Sequence, residues 1–338
     1  MINEVYRLIA PKQIRIDFIE EEVKEEVVIR PTYLSICAAD QRYYTGTRGK
    51  EALAKKLPMA LIHEGVGEVL YDPKGEIAQG TQVVMIPNTP VEGDAVIREN
   101  YLTTSKFRAS GFDGFMQSFV LMDRSRIIPF TKIKPEIGSL LEVTSVIMNA
   151  LETFRRKSHE RKESIGIWGN GNLGFISALV LKHEYPNAKV YVFGIEKHKM
   201  QYFPFVDGTY LIDEIPDDLR VDHAFECVGG GGSESAINQI IDYIQPEGSI
   251  VLLGVSEKFP AINTRMILEK GLSLLGNSRS GYEDFRAAID FLENNPRASE
   301  YMSKLVSEEI VIRTTQDIEN AFERDLANDF KTVMKWEI

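Results

Sequence analysis

The run Gly169-Asn170-Gly171-Asn172-Leu173-Gly174 constrains this chain more than any other feature. It follows an apolar strand, Ile165-Gly166-Ile167-Trp168, and opens an apolar helical stretch from Leu173 to Lys182. A second strand, Lys189-Val190-Tyr191-Val192-Phe193, ends about 20 residues further on, the spacing of a dinucleotide-binding turn. In such a turn Gly169 makes the tight bend, Gly171 lets backbone approach a pyrophosphate, and Gly174 lets the helix pack closely on the sheet. Asn172 and Leu173 then open the helix, whose amino terminus faces the anion. The second strand ends at Gly194, where an NAD site usually carries a carboxylate for the ribose hydroxyls. Lys197, His198 and Lys199 follow and suit the extra phosphate of NADP(H), while Glu196 is the one nearby residue that argues for NAD.

Further apolar strands, Asp222 to Phe225, Ser249 to Leu253 and Leu272 to Leu275, alternate with helical stretches. They predict a doubly wound parallel sheet, an α/β nucleotide-binding domain over 146–295. Residues 1–145 read differently, as short β-rich runs such as Val27 to Leu34, Gly65 to Leu70 and Gln82 to Ile86 between Gly and Pro punctuation. The last stretch, 296–338, returns to short strands and one amphipathic helix, Gln316 to Arg324, and is expected to complete the first domain. A length of 338 residues suits two such domains, and 43% hydrophobic with 26% charged residues excludes a disordered or fibrous chain. The excess of 50 acidic over 39 basic residues, net charge −11, argues against nucleic acid as a partner. The start Met1-Ile2-Asn3-Glu4 lacks a leader pattern, no run is apolar enough to span a membrane, and only Cys37 and Cys227 are present. The expectation is a cytoplasmic protein with two free thiols, Cys227 being a packed one.

Three segments carry potential metal ligands: Ser35-Ile36-Cys37-Ala38-Ala39-Asp40, Ile62-His63-Glu64-Gly65 and Leu140-Leu141-Glu142-Val143. Their spacing is not a local zinc signature, but their order around the nucleotide turn resembles that of the medium-chain, zinc-dependent alcohol and polyol dehydrogenases. Gly111-Phe112-Asp113-Gly114-Phe115 and Phe225-Glu226-Cys227-Val228-Gly229 resemble further landmarks of that family, so that the likeness runs along nearly the whole chain. It implies a GroES-like β-rich catalytic domain followed by a Rossmann nucleotide-binding domain. It also implies one catalytic zinc held by Cys37, His63 and Glu142, with Glu64 as an alternative fourth ligand and Asp40 orienting His63. Many members hold a structural zinc on four cysteines in the lobe that corresponds to Pro87 to Ser110; this lobe has none, so no structural zinc is expected. The family's proton-relaying Ser or Thr is replaced by Ala39, leaving metal-bound water, Glu64, Tyr43, Tyr44 or Thr45 as substitutes.

Finer details, including Ser35 to Gly46, Pro87-Asn88-Thr89-Pro90 and Ser278-Arg279-Ser280-Gly281, resemble one branch of the family, the bacterial ribulose-5-phosphate reductases. That branch implies NADPH reducing the C2 ketone of a phosphorylated pentulose to ribitol 5-phosphate, with zinc as Lewis acid. It further implies a cytidylyltransferase as functional neighbour, making CDP-ribitol for teichoic acid or capsule, and a homodimer or homotetramer. Arg42, Arg48 and Arg279 are the candidate cations for the substrate phosphate, and Tyr43 a candidate wall of its pocket. The competing expectation is an NAD-dependent polyol dehydrogenase acting on an unphosphorylated sugar alcohol.

Overall fold

The computed structural model describes every residue, Met1–Ile338. Two compact units divide it, one made of Met1–Ser145 with Ser280–Ile338, the other of Val146–Arg279.

The first unit is built on a mixed sheet. Its strands run in the order Ile127–Pro129, Gln82–Met85, Glu64–Tyr71, Val27–Ser35, Lys331–Trp336, Val306–Ile312. A smaller sheet orders Gln13–Glu20, Ile2–Ala10 and Met59–Ala60. The carboxy-terminal segment is drawn in by aromatic packing: Trp336 meets Tyr6 edge-to-face at 5.5 Å, and Phe322 stacks on Tyr44 at 4.5 Å. Between these contacts lies the amphipathic helix Thr315–Asp325, capped by the Thr314 hydroxyl, which accepts from Asp317 N at 3.2 Å. The chain rejoins this unit at Ser280, earlier than the return at 296 read from sequence. The reason is local: the Ser280 hydroxyl lies 2.7 Å from that of Ser145, and Tyr282 N donates to Glu99 Oε1 at 2.7 Å. Arg98 then pairs with Asp284 at 2.9 Å, so the helix Tyr282–Asn294 is tied at its start to the first unit.

The second unit is a six-stranded, wholly parallel sheet in the order Gly208–Leu211, Lys189–Gly194, Ser164–Trp168, His223–Glu226, Ser249–Leu252, Ser273–Gly276. Its central strands are apolar throughout because helices cover both faces of such sheets, and Trp168 stacks on Phe193 at 4.1 Å in this core. Chain order reverses between Ser164–Trp168 and His223–Glu226, the switch point at whose carboxyl edge open α/β sheets bind ligands. No helix is long and apolar enough to cross a membrane.

Candidate active site: a donor cluster and a nucleotide groove

In the first unit, the strand Val27–Ser35 ends two residues before Cys37, which caps the short helix Ala38–Tyr44. Ser35 pairs in register with Glu64, the first residue of Glu64–Tyr71, and this pairing sets Cys37 against His63 and Glu64. The donor atoms of the three residues lie within 4.8 Å of one another. His63 follows Ile62, which is held at φ +67°, a strained conformation for a β-branched residue. The landmark around Gly114 supports that backbone: Phe115 N donates to Ile62 O at 2.7 Å and Gly114 N to Ala60 O at 2.8 Å. A Cβ on Gly114 would stand 2.3 Å from the carbonyl oxygens of Leu61 and Ile62, so only glycine allows this approach. Asp113 completes the support, accepting from Ala60 N at 2.8 Å and from Arg7 at 3.0 and 2.6 Å.

Asp40 is buried one turn into the helix, with Oδ1 accepting from Ile62 N at 3.0 Å and Oδ2 lying 3.4 Å from His63 Nδ1. It is placed to fix the orientation of the ring. Glu142, in the first turn of the helix Leu141–Lys157, is buried as well. Burial pushes its carboxyl up to about 7, with Glu64 adding to the rise and His63 opposing it. Burial also raises the Cys37 thiol, and Glu64 adds to that rise. For His63 burial disfavours the charged ring, but Asp40 and Cys37 beside it leave its pKa well above the ordinary value.

Sequence reasoning missed Lys331. Its buried ammonium donates to both carboxylate oxygens of Glu64 at 2.7 Å and to Ile36 O at 3.0 Å. Glu64 is thereby held in an ion pair. Cys37, Asp40, Glu64 and Glu142 are four acidic groups sharing one shielded region with a single lysine. Such a set calls for further positive charge, and one thiol, one imidazole and a carboxylate are donors that suit zinc. Among the hydroxyls that stand in for the absent relay, Tyr44 Oη turns to Glu323 and Glu319 O, and Thr45 Oγ1 donates to Gln41 O at 2.7 Å. The Tyr43 hydroxyl is buried and has no partner. Arg42 is half-buried on the same helix, and the Arg48 guanidinium sits 4.9 Å from the Tyr43 ring centre.

In the second unit, Gly169 adopts φ +117° and a Cβ on Gly174 would meet Gly169 O at 1.9 Å, so the glycine turn is required by its backbone. Gly171 caps the helix Asn172–Glu184, no side chain satisfies the helix's first amides, and the space beside Gly171 is open. These are the features of a pyrophosphate cradle. A pocket of about 320 Å³ adjoins it, lined by Gly169, Gly171, Gly194, Ile212, Val228 and Gln239 among others. Gly194 has a reason of its own: a Cβ there would stand 2.3 Å from Asn170 Cγ, and the Asn170 amide donates to Glu196 O at 2.9 Å. An amide thus occupies the place from which an acidic side chain would start. Lys197 is exposed, whereas Lys199 is buried with its ammonium 2.8 Å from Glu196, and neither lines the pocket. Arg279, in the left-handed region at φ +58°, has its carbonyl held by the Asn149 amide at 2.9 Å. Cys227 is a packed thiol, pushed up to about 12 by burial and 3.5 Å from the Ser177 hydroxyl. Glu226 beside it accepts from Val228 N, Gly229 N and Gly254 N at 3.0, 3.0 and 2.9 Å, which explains the acidic residue of that landmark.

Comparison with known proteins agrees with both halves. Residues 23–132 match the family model for the alcohol dehydrogenase GroES-like domain, and residues 135–336 that for the glucose dehydrogenase C-terminus. The ribulose-5-phosphate reductase of Bacillus spizizenii is 52% identical, with 100% of each chain covered. That of Streptococcus pneumoniae is 44% identical, over 100% of this chain and 98% of its own. The crystal structure of Staphylococcus aureus TarJ in complex with NADPH superposes with a TM-score of 0.90 at 48% identity, covering 100% of both chains. This protein belongs to the zinc-type medium-chain dehydrogenases and reductases, in the group of the ribulose-5-phosphate reductases.

Proposed function

We propose that this protein reduces D-ribulose 5-phosphate to D-ribitol 5-phosphate with NADPH. The observation that carries the reading is identity of 52% over the full length of a curated ribulose-5-phosphate reductase. The NADPH-bound relative at a TM-score of 0.90 supports the cofactor.

When bound, zinc supplies Lewis acidity to a ketone oxygen and NADPH supplies the hydride. Cys37, His63 and Glu142 are the residues that would hold the metal, and Asp40 would keep His63 turned toward it. Lys331 engages both carboxylate oxygens of Glu64, so that Glu64 would be the less available donor to the metal. The helix start at Gly171, Asn172 and Leu173 would take the pyrophosphate; Gly194 and Asn170 place no carboxylate at the end of the second strand, Glu196 being the acid that lines the groove, and exposed Lys197 would be a freer partner for a 2′-phosphate than buried Lys199. Arg42, Arg48 and Arg279 are the candidate contacts to the sugar phosphate. The reading includes a single, catalytic zinc: the lobe Pro87 to Ser110 has no cysteine, and ion pairs of Arg126 with Glu99 at 3.0 Å and Arg98 with Asp284 at 2.9 Å anchor it instead. A homo-oligomer acting in the cytoplasm, its product passed to a cytidylyltransferase, completes it.

Product analysis tests the reaction. One ribitol 5-phosphate should form for each NADPH consumed. Formation of the C2 epimer arabinitol 5-phosphate, or no phosphorylated polyol, would reject the reading.

A further inference from the structure

Three aromatic residues stand in register across the sheet of the second unit. Trp168 pairs with Phe193 and Phe193 with Tyr210 on neighbouring strands, and their rings stack with centres 4.1 and 5.8 Å apart. Trp168 and Phe193 line the groove of about 320 Å³ beside the glycine turn. Ile195, Ile212 and Val228 line it too, and they are 72%, 36% and 42% exposed. Large apolar side chains held open to water around one cavity mark a place for an apolar ligand, and a wall of stacked rings suits a flat one. In a dinucleotide turn the residue that ends the second strand meets the adenosine ribose. Here that residue is Gly194, so the apolar space past it, toward Ile212, falls to the base.

The helix Ser233–Tyr243 contributes Ser235, Ala236 and Gln239 to the same groove. The Gln239 amide is engaged with the groove's own walls. Its Oε1 accepts from the Trp168 indole N–H at 2.8 Å, and its Nε2 donates to Ile212 O at 2.8 Å. An indole nitrogen only donates and a peptide carbonyl only accepts, so the two partners leave the amide a single orientation. Ile212 follows the edge strand Gly208–Leu211, whose four residues are half-buried, so a tether from the helix has a task there. Gln239 supplies it, reaching across the strand Lys189–Gly194 to join Trp168 to Ile212. We infer that Gln239 is a positioning residue for the cofactor: by bridging Trp168 to Ile212 it fixes the width of the slot that takes the adenine base, and it takes no part in reading the 2′-phosphate. This deepens the function proposed above and rests on it for the identity of the cofactor.

Gln239→Leu, unable to bond at either end, tests the bridge by calorimetric titration with NADPH, NADH and adenosine 2′,5′-bisphosphate, and by kinetics with ribulose 5-phosphate. All three dissociation constants should rise at least tenfold, by factors that agree within threefold, because the base is common to the three ligands. KM for NADPH should rise as much, with kcat changed less than threefold. A loss confined to the ligands with a 2′-phosphate would make Gln239 a phosphate contact, and unchanged affinities would make the bridge a matter of stability alone; either overturns the inference. Should Gln239→Leu not fold, Gln239→Glu carries the test, since its carboxylate can still accept from the indole but cannot donate to Ile212 O. Titrated with NADH in about 0.5 M salt, where repulsion between the new charge and the pyrophosphate is screened, it should bind at least fivefold more weakly than wild type, and affinity equal to wild type would overturn the inference. Adenosine 2′,5′-bisphosphate binds without a sugar substrate, so a wild type that fails to reduce ribulose 5-phosphate would reject the proposed function and leave this test standing.

Discussion

A carboxylate sealed from water needs a partner, and Glu64 finds it in Lys331, at 5% side-chain exposure on another strand of the same sheet. Removing one member of such a pair leaves the other charge buried and alone, a loss of about 3–5 kcal/mol. Lys331→Met should therefore lower the stability of the first unit by an amount in that range, measured by urea unfolding; a loss near zero would mean that the pair adds nothing to stability. Cys37 presents the complementary case. Cys37→Ala should remove bound zinc and turnover together while leaving NADPH affinity within threefold, since its neighbours all belong to the first unit. Metal analysis beside fluorescence titration checks both. That Cys37, His63 and Glu64 meet, with Asp40 beside His63, was legible because each sits in a short motif shared with the family, whereas Glu142 is buried nearby but is not one of the three donors within 4.8 Å of one another. Lys331 was not legible, for it carries no motif and is separated from Glu64 by 267 residues, joined to it only by strand pairing.

Turns and caps explain which elements the sequence announced. The helix Asn172–Glu184 and the strand Lys189–Gly194 agree closely with the stretches read around the glycine run, since strand, turn and helix there obey one consistent pattern. The strand Gly208–Leu211 escaped notice: four half-buried residues opened by glycine at the edge of the sheet carry no apolar alternation. The helices Ala38–Tyr44 and Lys50–Lys56 escaped too, being single short segments of seven residues in a β-rich context. At the end of Lys189–Gly194, the lack of an acid was legible, but the cause was not, because Asn170 fills the space through a turn distant in sequence. Gly194→Ala should displace the Asn170 amide and weaken NADPH binding about tenfold, and adding Asn170→Gly should recover much of it. Titration of the single and double variants measures this; equal weakening in both would show that the two side chains do not compete.

Across the whole molecule, acid should act first through the second unit. His223 is fully buried, its Nδ1 accepting from Ser249 N at 3.1 Å and its Nε2 lying 3.0 Å from Arg161 O, an arrangement that only the neutral ring satisfies at both ends. Burial, with His159 and Lys162 nearby, lowers its pKa from 6.5 to about 4. Between those values the unfolded chain binds the proton and the folded one does not, so stability present above pH 6.5 is lost as pH falls, by about 2 kcal/mol at pH 5. Urea midpoints at pH 7.5 and 5 for wild type and His223→Gln should show that slope only in wild type. The division into a β-rich and a parallel-sheet unit was readable from hydrophobic periodicity, whereas the return at Ser280 depended on the bonds of Glu99 and Asp284, which no periodicity displays. What the assembled chain does is tested most directly by the initial rate of NADPH oxidation with ribulose 5-phosphate, run beside equal concentrations of unphosphorylated ribulose and repeated with NADH. Fast turnover that requires both phosphates, the sugar's and the cofactor's, is the result expected. Equal or faster turnover of the free sugar with NADH would contradict it and leave a general polyol dehydrogenase.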